Sequence, residues 1–253
     1  MNALSAVFYR DFRQRMTNVS LLFWDLLAPL AYLVLFGIGF EGMMGQAPVV
    51  VGQPFGYTAF LVPGVLAMVA FGIGLNTSWG FFMDKESGIV YELLTYPITR
   101  PQILLGKVGF NVLLALIGAV LVIALGSLAL DVPVQWVSLP LMALVTVIST
   151  AAWFFMFTAW AISIDRMDAY NAVASALYIL LMFFSSMFYP LTGVPAWFRV
   201  ISYLNPLTWQ VDLLRFSLLG LGGHGMLLLE GAALTGFTAV CMAFAVRALN
   251  RVS

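Results

Sequence analysis

The chain has 253 residues, of which 62% are hydrophobic and 9% charged, with 11 basic and 11 acidic side chains and a formal net charge of zero. A soluble domain carries about 25% charged residues to cover its surface, so this composition, with a mean hydropathy of +1.01, excludes a water-soluble globule, a disordered chain and a fibrous repeat. One cysteine, Cys241, and one histidine, His224, exclude a disulfide framework and any site that needs two of either residue.

In chain order, residues 2–18 place Leu4, Val7, Phe8, Phe12 and Met16 near one helical face, with Arg10, Asp11, Arg13 and Gln14 over much of the rest. Such a basic amphipathic segment is predicted to lie in a membrane interface over residues 1–20. About 20 apolar residues cross the hydrocarbon as a helix. Six stretches qualify: 21–40, 58–82, 108–130, 139–162, 172–189 and 226–246. The first is predicted to be a true span and not a cleaved signal. A long charged segment precedes it, it contains Asp25 and Pro29, and it has no small-x-small cleavage pattern.

An even number of spans puts both termini on one side. Arg10, Arg13, Arg15, Lys85, Arg100, Lys107, Arg166, Arg247 and Arg251 then share that side, and only Arg199 and Arg215 face the other. The positive-inside rule predicts cytoplasmic termini.

The run after the second span, DKESGIVYELLTYPITRPQILLGK, is the most informative loop. Asp84 and Glu86 are predicted at the N-terminus of a short helix, where negative charge is favoured. Ile89, Val90, Leu93 and Leu94 supply an apolar face, and Tyr96-Pro97 ends the segment, because the residue before proline resists the α region. Thr99, Pro101 and Gln102 form a capping box with proline in the first turn of the next helix. The segment 84–100 therefore reads as a capped amphipathic helix at the cytoplasmic surface.

On the outer side, residues 131–138 join spans three and four, and 190–225 separate spans five and six. Pro195 opens a helical stretch with Trp197, Phe198, Val200 and Ile201. Asn205 caps a second helix with Pro206 at its first position, and Gly220, Gly222 and Gly223 end it. Two apolar helices too short to span predict a re-entrant hairpin. In the last span Gly231, Thr235, Ala239 and Ala243 recur at steps of four, a close-packing pattern within the chain or with a second copy.

The sequence has no GxxxxGK[ST] phosphate loop, no HExxH, no CxxC and no GxSxG. Asp25 and Glu230 lie near span ends, where a carboxylate can reach a basic neighbour or the interface. Asn76, Thr77, Ser78 and Asn111 suit helix–helix hydrogen bonds. Phe71, Trp79, Phe81 and Phe82 fit either a pathway wall or a lipid-facing surface.

These features resemble the type-two ABC exporter permeases. Three runs carry the resemblance: FLVPGVLAM at 60–68, ESGIVYELLTYPITR at 86–100 and YLNPLTWQVDLLR at 203–215. The likeness extends over the whole chain and is nearest to the branch of nodulation-factor (lipo-oligosaccharide) and daunorubicin-type drug exporters. It implies an all-α integral membrane protein with six transmembrane helices, forming one permease domain over 1–253 in a bacterial inner membrane. It further implies a second permease subunit, identical or related, and two copies of a cytoplasmic ATP-binding subunit that carries ATP and Mg. This chain itself would bind no cofactor, metal or nucleic acid and have no catalytic residue. Membrane lipid is the remaining partner.

On this resemblance Glu86, Gly88, Tyr91, Glu92, Leu93, Leu94, Pro97 and Arg100 couple the permease to the ATPase. Phe71, Asn76, Trp79, Asn205, Pro206, Gln210, Asp212 and Arg215 line a pathway or outer gate. The cargo implied is amphipathic or hydrophobic, a glycolipid or a drug-like molecule. The competing reading is an ion-gradient-driven secondary carrier or channel, which predicts intramembrane charges or inverted repeats.

Overall fold

The structure, a computed structural model, describes residues 3–44 and 56–251. Among them the regular structure is helical, with no strand. In chain order the helices are α1 (Ala3–Thr17), α2 (Val19–Met44), α3 (Tyr57–Glu86), α4 (Ile89–Thr95), α5 (Arg100–Ala129), α6 (Leu139–Ser163), α7 (Met167–Phe183), α8 (Ala196–Leu204), α9 (Pro206–Leu219) and α10 (His224–Asn250).

α3 is the axis of the fold. Every residue from Tyr57 to Phe71 is buried, as expected of a helix that is apolar all round. It packs against α2, α5, α6 and α9. Gly74 permits a close approach to α6. A Cβ there would lie 2.7 Å from Trp153 Cβ and 2.9 Å from the Phe154 nitrogen, so a glycine lets the α3 and α6 backbones close. Around this contact Phe71 stacks on Tyr178 and meets the edge of Trp153 at 4.6 Å between ring centroids.

Among the described residues five helices are long and apolar enough to cross a membrane: those within Leu22–Phe40, Tyr57–Glu86, Arg100–Ala129, Trp136–Ser163 and His224–Asn250. The stretch predicted as a span over 172–189 is different. Its helix, α7, starts five residues earlier and stops at Phe183, 17 residues in all. The reason lies in a distant side chain. Asn205 Nδ2 donates to the carbonyls of Leu181 (2.7 Å) and Phe184 (3.0 Å), capping the helix end. Ser185 and Ser186 then turn the chain through bonds to Met182 and α9.

Three further expectations change. Asp84 and Glu86 do not start α4: they belong to the last turn of α3, which continues past residue 82, and the reversal falls at Gly88 in the left-handed region (φ 81°). The sides of α1 are not sorted simply into apolar inward and polar outward. Val7 and Asp11 are buried together, while Phe12 and Met16 are exposed; the side chain of Leu4 lies outside the described residues. The stripe Gly231, Thr235, Ala239, Ala243 does not make a close approach within the chain. α10 packs instead through Leu227, Leu234, Cys241, Ala245 and Leu249.

Of the two helices predicted as an outer hairpin, α9 is an integral part of the core. Val211, Leu214 and Leu218 are buried as the apolar pattern predicts, and Thr208, Gln210 and Ser217 are buried as well. Trp153 Nε1 donates to Gln210 Oε1 at 2.7 Å, which satisfies both buried groups. α8 is the opposite, with Trp197, Val200 and Leu204 exposed.

Candidate functional site

The two ends of the bundle differ in charge. At one end lie α1, the end of α3, the start of α5 and the last turn of α10, tied by Arg100 Nε to the Leu249 carbonyl. Lys107 is buried here. Its Nζ contacts Asp84 Oδ2 at 2.9 Å and Asp11 Oδ2 at 3.2 Å, and Arg10 Nη2 completes Asp84 at 2.6 Å. Arg15 Nη2 meets Asp25 Oδ2 at 2.6 Å, and Asn76 Nδ2 donates to Asp25 Oδ1 at 2.6 Å. Asp11, Asp25 and Asp84 at this end are thus each paired, which is the condition for their tolerance. The network fastens α1 to α2, α3 and α5.

α4 sits at this same end. Val90 is buried, and Leu93, Leu94 and Ile98 pack against the cluster that includes Phe81, Ile103 and Phe155. Glu86, Tyr91, Glu92, Tyr96 and Pro97 are exposed. Below it, the Thr99 amide donates to Gln102 Oε1 at 2.9 Å, the back-bond of the capping box. Lys85 Nζ donates to the Ile162 carbonyl at 2.7 Å and pairs with Asp165, closing the α6 terminus. The result is a rigidly seated helix with a solvent-facing acidic and aromatic side.

Two cavities complete the arrangement. A lateral one of about 460 Å³ lies between α2, α3 and α7, with Asp25, Asn76 and Tyr178 among apolar walls that include Met68 and Ile179. The other, about 420 Å³, is at the far end, where α9, the start of α10 and the 186–203 segment meet. There Arg215 Nη1 pairs with Asp212 Oδ1 at 2.7 Å, and the guanidinium lies 4.0 Å from the centroid of the Phe60 ring. Burial pushes the Asp212 carboxyl above its usual range, while Arg215 and a hydrogen bond from Ser186 work against that shift.

Comparison with known proteins follows the same outline. Residues 2–219 match the model of the family described as ABC-2 type transporter. The chain belongs to this family. It is 30% identical to the transport permease ycf38 of Cyanophora paradoxa over 204 residues, 76% of this chain and 65% of the relative. It is 27% identical over 199 residues to the inner membrane transport permease YadH of Escherichia coli strain K12, 78% of this chain and 76% of the relative. The match thus spans a little under two thirds of the ycf38 protein. The sequence contains no GxxxxGK[ST] phosphate loop.

Within this ABC-2 fold the residues singled out from sequence divide into groups. The coupling set is brought together: Glu86, Tyr91, Glu92 and Pro97 outward, Leu93 and Leu94 inward, Gly88 at the turn, and Arg100 bonded to α10. The pathway set is dispersed. Asn76 borders the lateral cavity, and Trp79 lies by a smaller recess beside Asp84 and Lys107. Phe71 and Gln210 are in the core, and Asn205 and Pro206 form the α9 cap, with Asn205 Oδ1 accepting from the Leu207 amide at 2.9 Å. Only Asp212 and Arg215 line the far-end cavity.

Sequence reasoning missed Arg199, Ser186 and Phe60 in that cavity. It also placed Glu230 at an interface, whereas the side chain is buried against the cavity. A carboxylate inside an apolar run was the available signal.

Proposed function

We propose that this chain is the transmembrane subunit of an ATP-driven exporter. α2, α3, α5, α6, α7 and α10 would be its six spans, with the termini in the cytoplasm and the protein in a bacterial inner membrane. α7 is short but within the roughly 17–25 residues that can span, and nine cations at the end with the termini support the orientation. The observation that carries the reading is α4. It is anchored by Val90, Leu93 and Leu94 and turns Tyr91 and Glu92 outward at the basic end, with Glu86 before it and Tyr96 after it also exposed, as a helix docking into a cytoplasmic ATP-binding subunit must. Two such subunits, holding ATP and Mg, would drive two permeases, identical or related.

The cargo would be amphipathic or hydrophobic, a glycolipid such as a lipo-oligosaccharide or a drug-like molecule. The lateral cavity supports this with apolar walls and a few polar groups, the usual make-up of a small-molecule site. α8 and α9 would form the outer hairpin.

The test is co-purification of tagged chain with its native membrane partners, for wild type and Glu92→Lys. The reversed charge leaves the buried face of α4 intact and opposes docking. An ATP-hydrolysing subunit captured by wild type and lost, or uncoupled, in the variant is the expected result. Transport in vesicles that follows an ion gradient and needs no ATP would replace this reading with a secondary carrier.

A further inference from the structure

The far-end cavity is bordered by side chains with buried polar atoms that have no hydrogen-bond partner among the described residues. Arg215 is 7% exposed; Nη1 is given to Asp212 and Nη2 to the Ser186 carbonyl at 2.9 Å, while Nε has no hydrogen-bond partner among the described residues. Arg199 donates through Nη2 to the carbonyls of Val194 (3.2 Å) and Thr192 (3.4 Å), and its buried Nε is likewise unpartnered among the described residues. Glu230, 3% exposed, has an Oε2 with no hydrogen-bond partner among the described residues and lies within the electrostatic reach of Asp212 and Arg215. All four side chains border the same cavity. Buried groups of this kind are normally satisfied.

When all four side chains are ionised the lining is balanced, with two guanidinium groups against two carboxylates. A simple anion would satisfy the Nε donors and leave Glu230 facing Asp212. A simple cation would do the reverse. A zwitterion whose anionic part accepts from the arginines and whose cationic part donates to Glu230 satisfies both. The unpartnered atom on Glu230 is an acceptor, so the cation must carry N–H groups, which a primary ammonium has and a quaternary one lacks. Beside the cavity α8 exposes Trp197, Val200 and Leu204, a surface suited to acyl chains at a membrane interface.

We propose that this cavity binds the headgroup of an aminophospholipid, with phosphate on the Arg199 and Arg215 Nε donors and the primary ammonium on Glu230. The proposal rests on the placement of α8 and α9 at the outer face given above. Its test requires neither ATP nor cargo, so its failure is distinguishable from failure of the exporter reading.

The experiment is native mass spectrometry of the delipidated, detergent-solubilised chain, titrated with phosphatidylethanolamine, phosphatidylcholine and phosphatidylglycerol of matched acyl chains. Wild type is expected to bind phosphatidylethanolamine about tenfold or more tightly than the other two, the scale of a charge-assisted hydrogen bond. Glu230→Gln should bring phosphatidylethanolamine down to the level of phosphatidylcholine and leave phosphatidylglycerol unchanged. Arg199→Gln, at a half-buried position, should weaken all three and carries the test if Glu230→Gln does not fold. Equal binding of the three lipids by wild type, or a preference that survives in folded Glu230→Gln, overturns the proposal. Displacement of the lipid by soluble phosphoethanolamine at equal concentration overturns the lipid as the source of the headgroup.

Discussion

Lys107→Met is the sharpest perturbation of the basic end. The ammonium is 3% exposed and sits between Asp84 (2.9 Å) and Asp11 (3.2 Å), so methionine keeps the stem and removes both ion pairs. Breaking a buried pair from one side costs about 3–5 kcal/mol. Asp84 keeps Arg10 at 2.6 Å, and Asp11 keeps a longer contact to Arg10 at 3.9 Å, which places this change at the lower figure. About 3 kcal/mol is a factor of roughly 150 in the equilibrium that releases α1. Trypsin cleavage at Arg10, Arg13 and Arg15 in detergent-solubilised chain reads that equilibrium under conditions where reclosing outpaces cleavage. The expected result is a rise of about 100-fold in the cleavage rate of α1, with Asp11→Asn in the same background adding less than it does alone, because the two groups share one interaction. An unchanged rate, or strictly additive single variants, would refute the assignment of this network as the clasp of α1.

Two further outcomes follow from local geometry. Gly74→Ala places a Cβ 2.7 Å from Trp153 Cβ and 2.9 Å from backbone, and should cost about 1–3 kcal/mol by overpacking α3 against α6, seen as a lower unfolding midpoint in a denaturing-detergent titration. Asn205→Ala removes the cap of α9 and the donors to Leu181 and Phe184, and should cost about 2 kcal/mol; hydrogen exchange at residues 181–186 and 207–208 should speed up while α3 is unaffected.

The helical architecture was legible because length and hydropathy alone define a membrane helix, and the limits of α6 agree with the apolar stretch to within one residue. Local signals were equally readable: Thr99 with Gln102, Asn205 with Pro206, and Ile89 to Leu94 all act within a few residues of themselves. Legibility ended where partners are far apart in sequence. The charge of Lys107 was visible, but its pairing with Asp11, 96 residues away, was not. Asn205 halts α7 from 24 residues downstream, so the apolar run 184–189 looked like continuing helix. An aromatic residue in mid-span has the same pattern whether it meets lipid or protein. Phe71 is therefore placed by Trp153, Phe157 and Tyr178, and Gln210 by the indole that donates to it and the Ala67 carbonyl it donates to. The proposed docking role of α4 rests on the same local patterns, and the Glu92→Lys co-purification bears on it directly.

α3 joins features that have so far been treated separately. Its Asp84 is held by the clasp beside α4, and its Phe60 forms the platform under Arg215. These two residues are 24 positions apart, about 36 Å along a helix. With Gly74 pressed against α6 near the middle, the helix has the proportions of a lever on a fulcrum. A tilt of about 5° at the basic end would carry the Phe60 ring through roughly 2 Å on the opposite side, reckoned from the Gly74 contact at about 1.5 Å per residue. That is enough to separate a ring from a guanidinium resting on it at 4.0 Å. A rigid tilt of α3 would therefore link the Phe60–Arg215 spacing to the position of Asp84 without any helix unwinding.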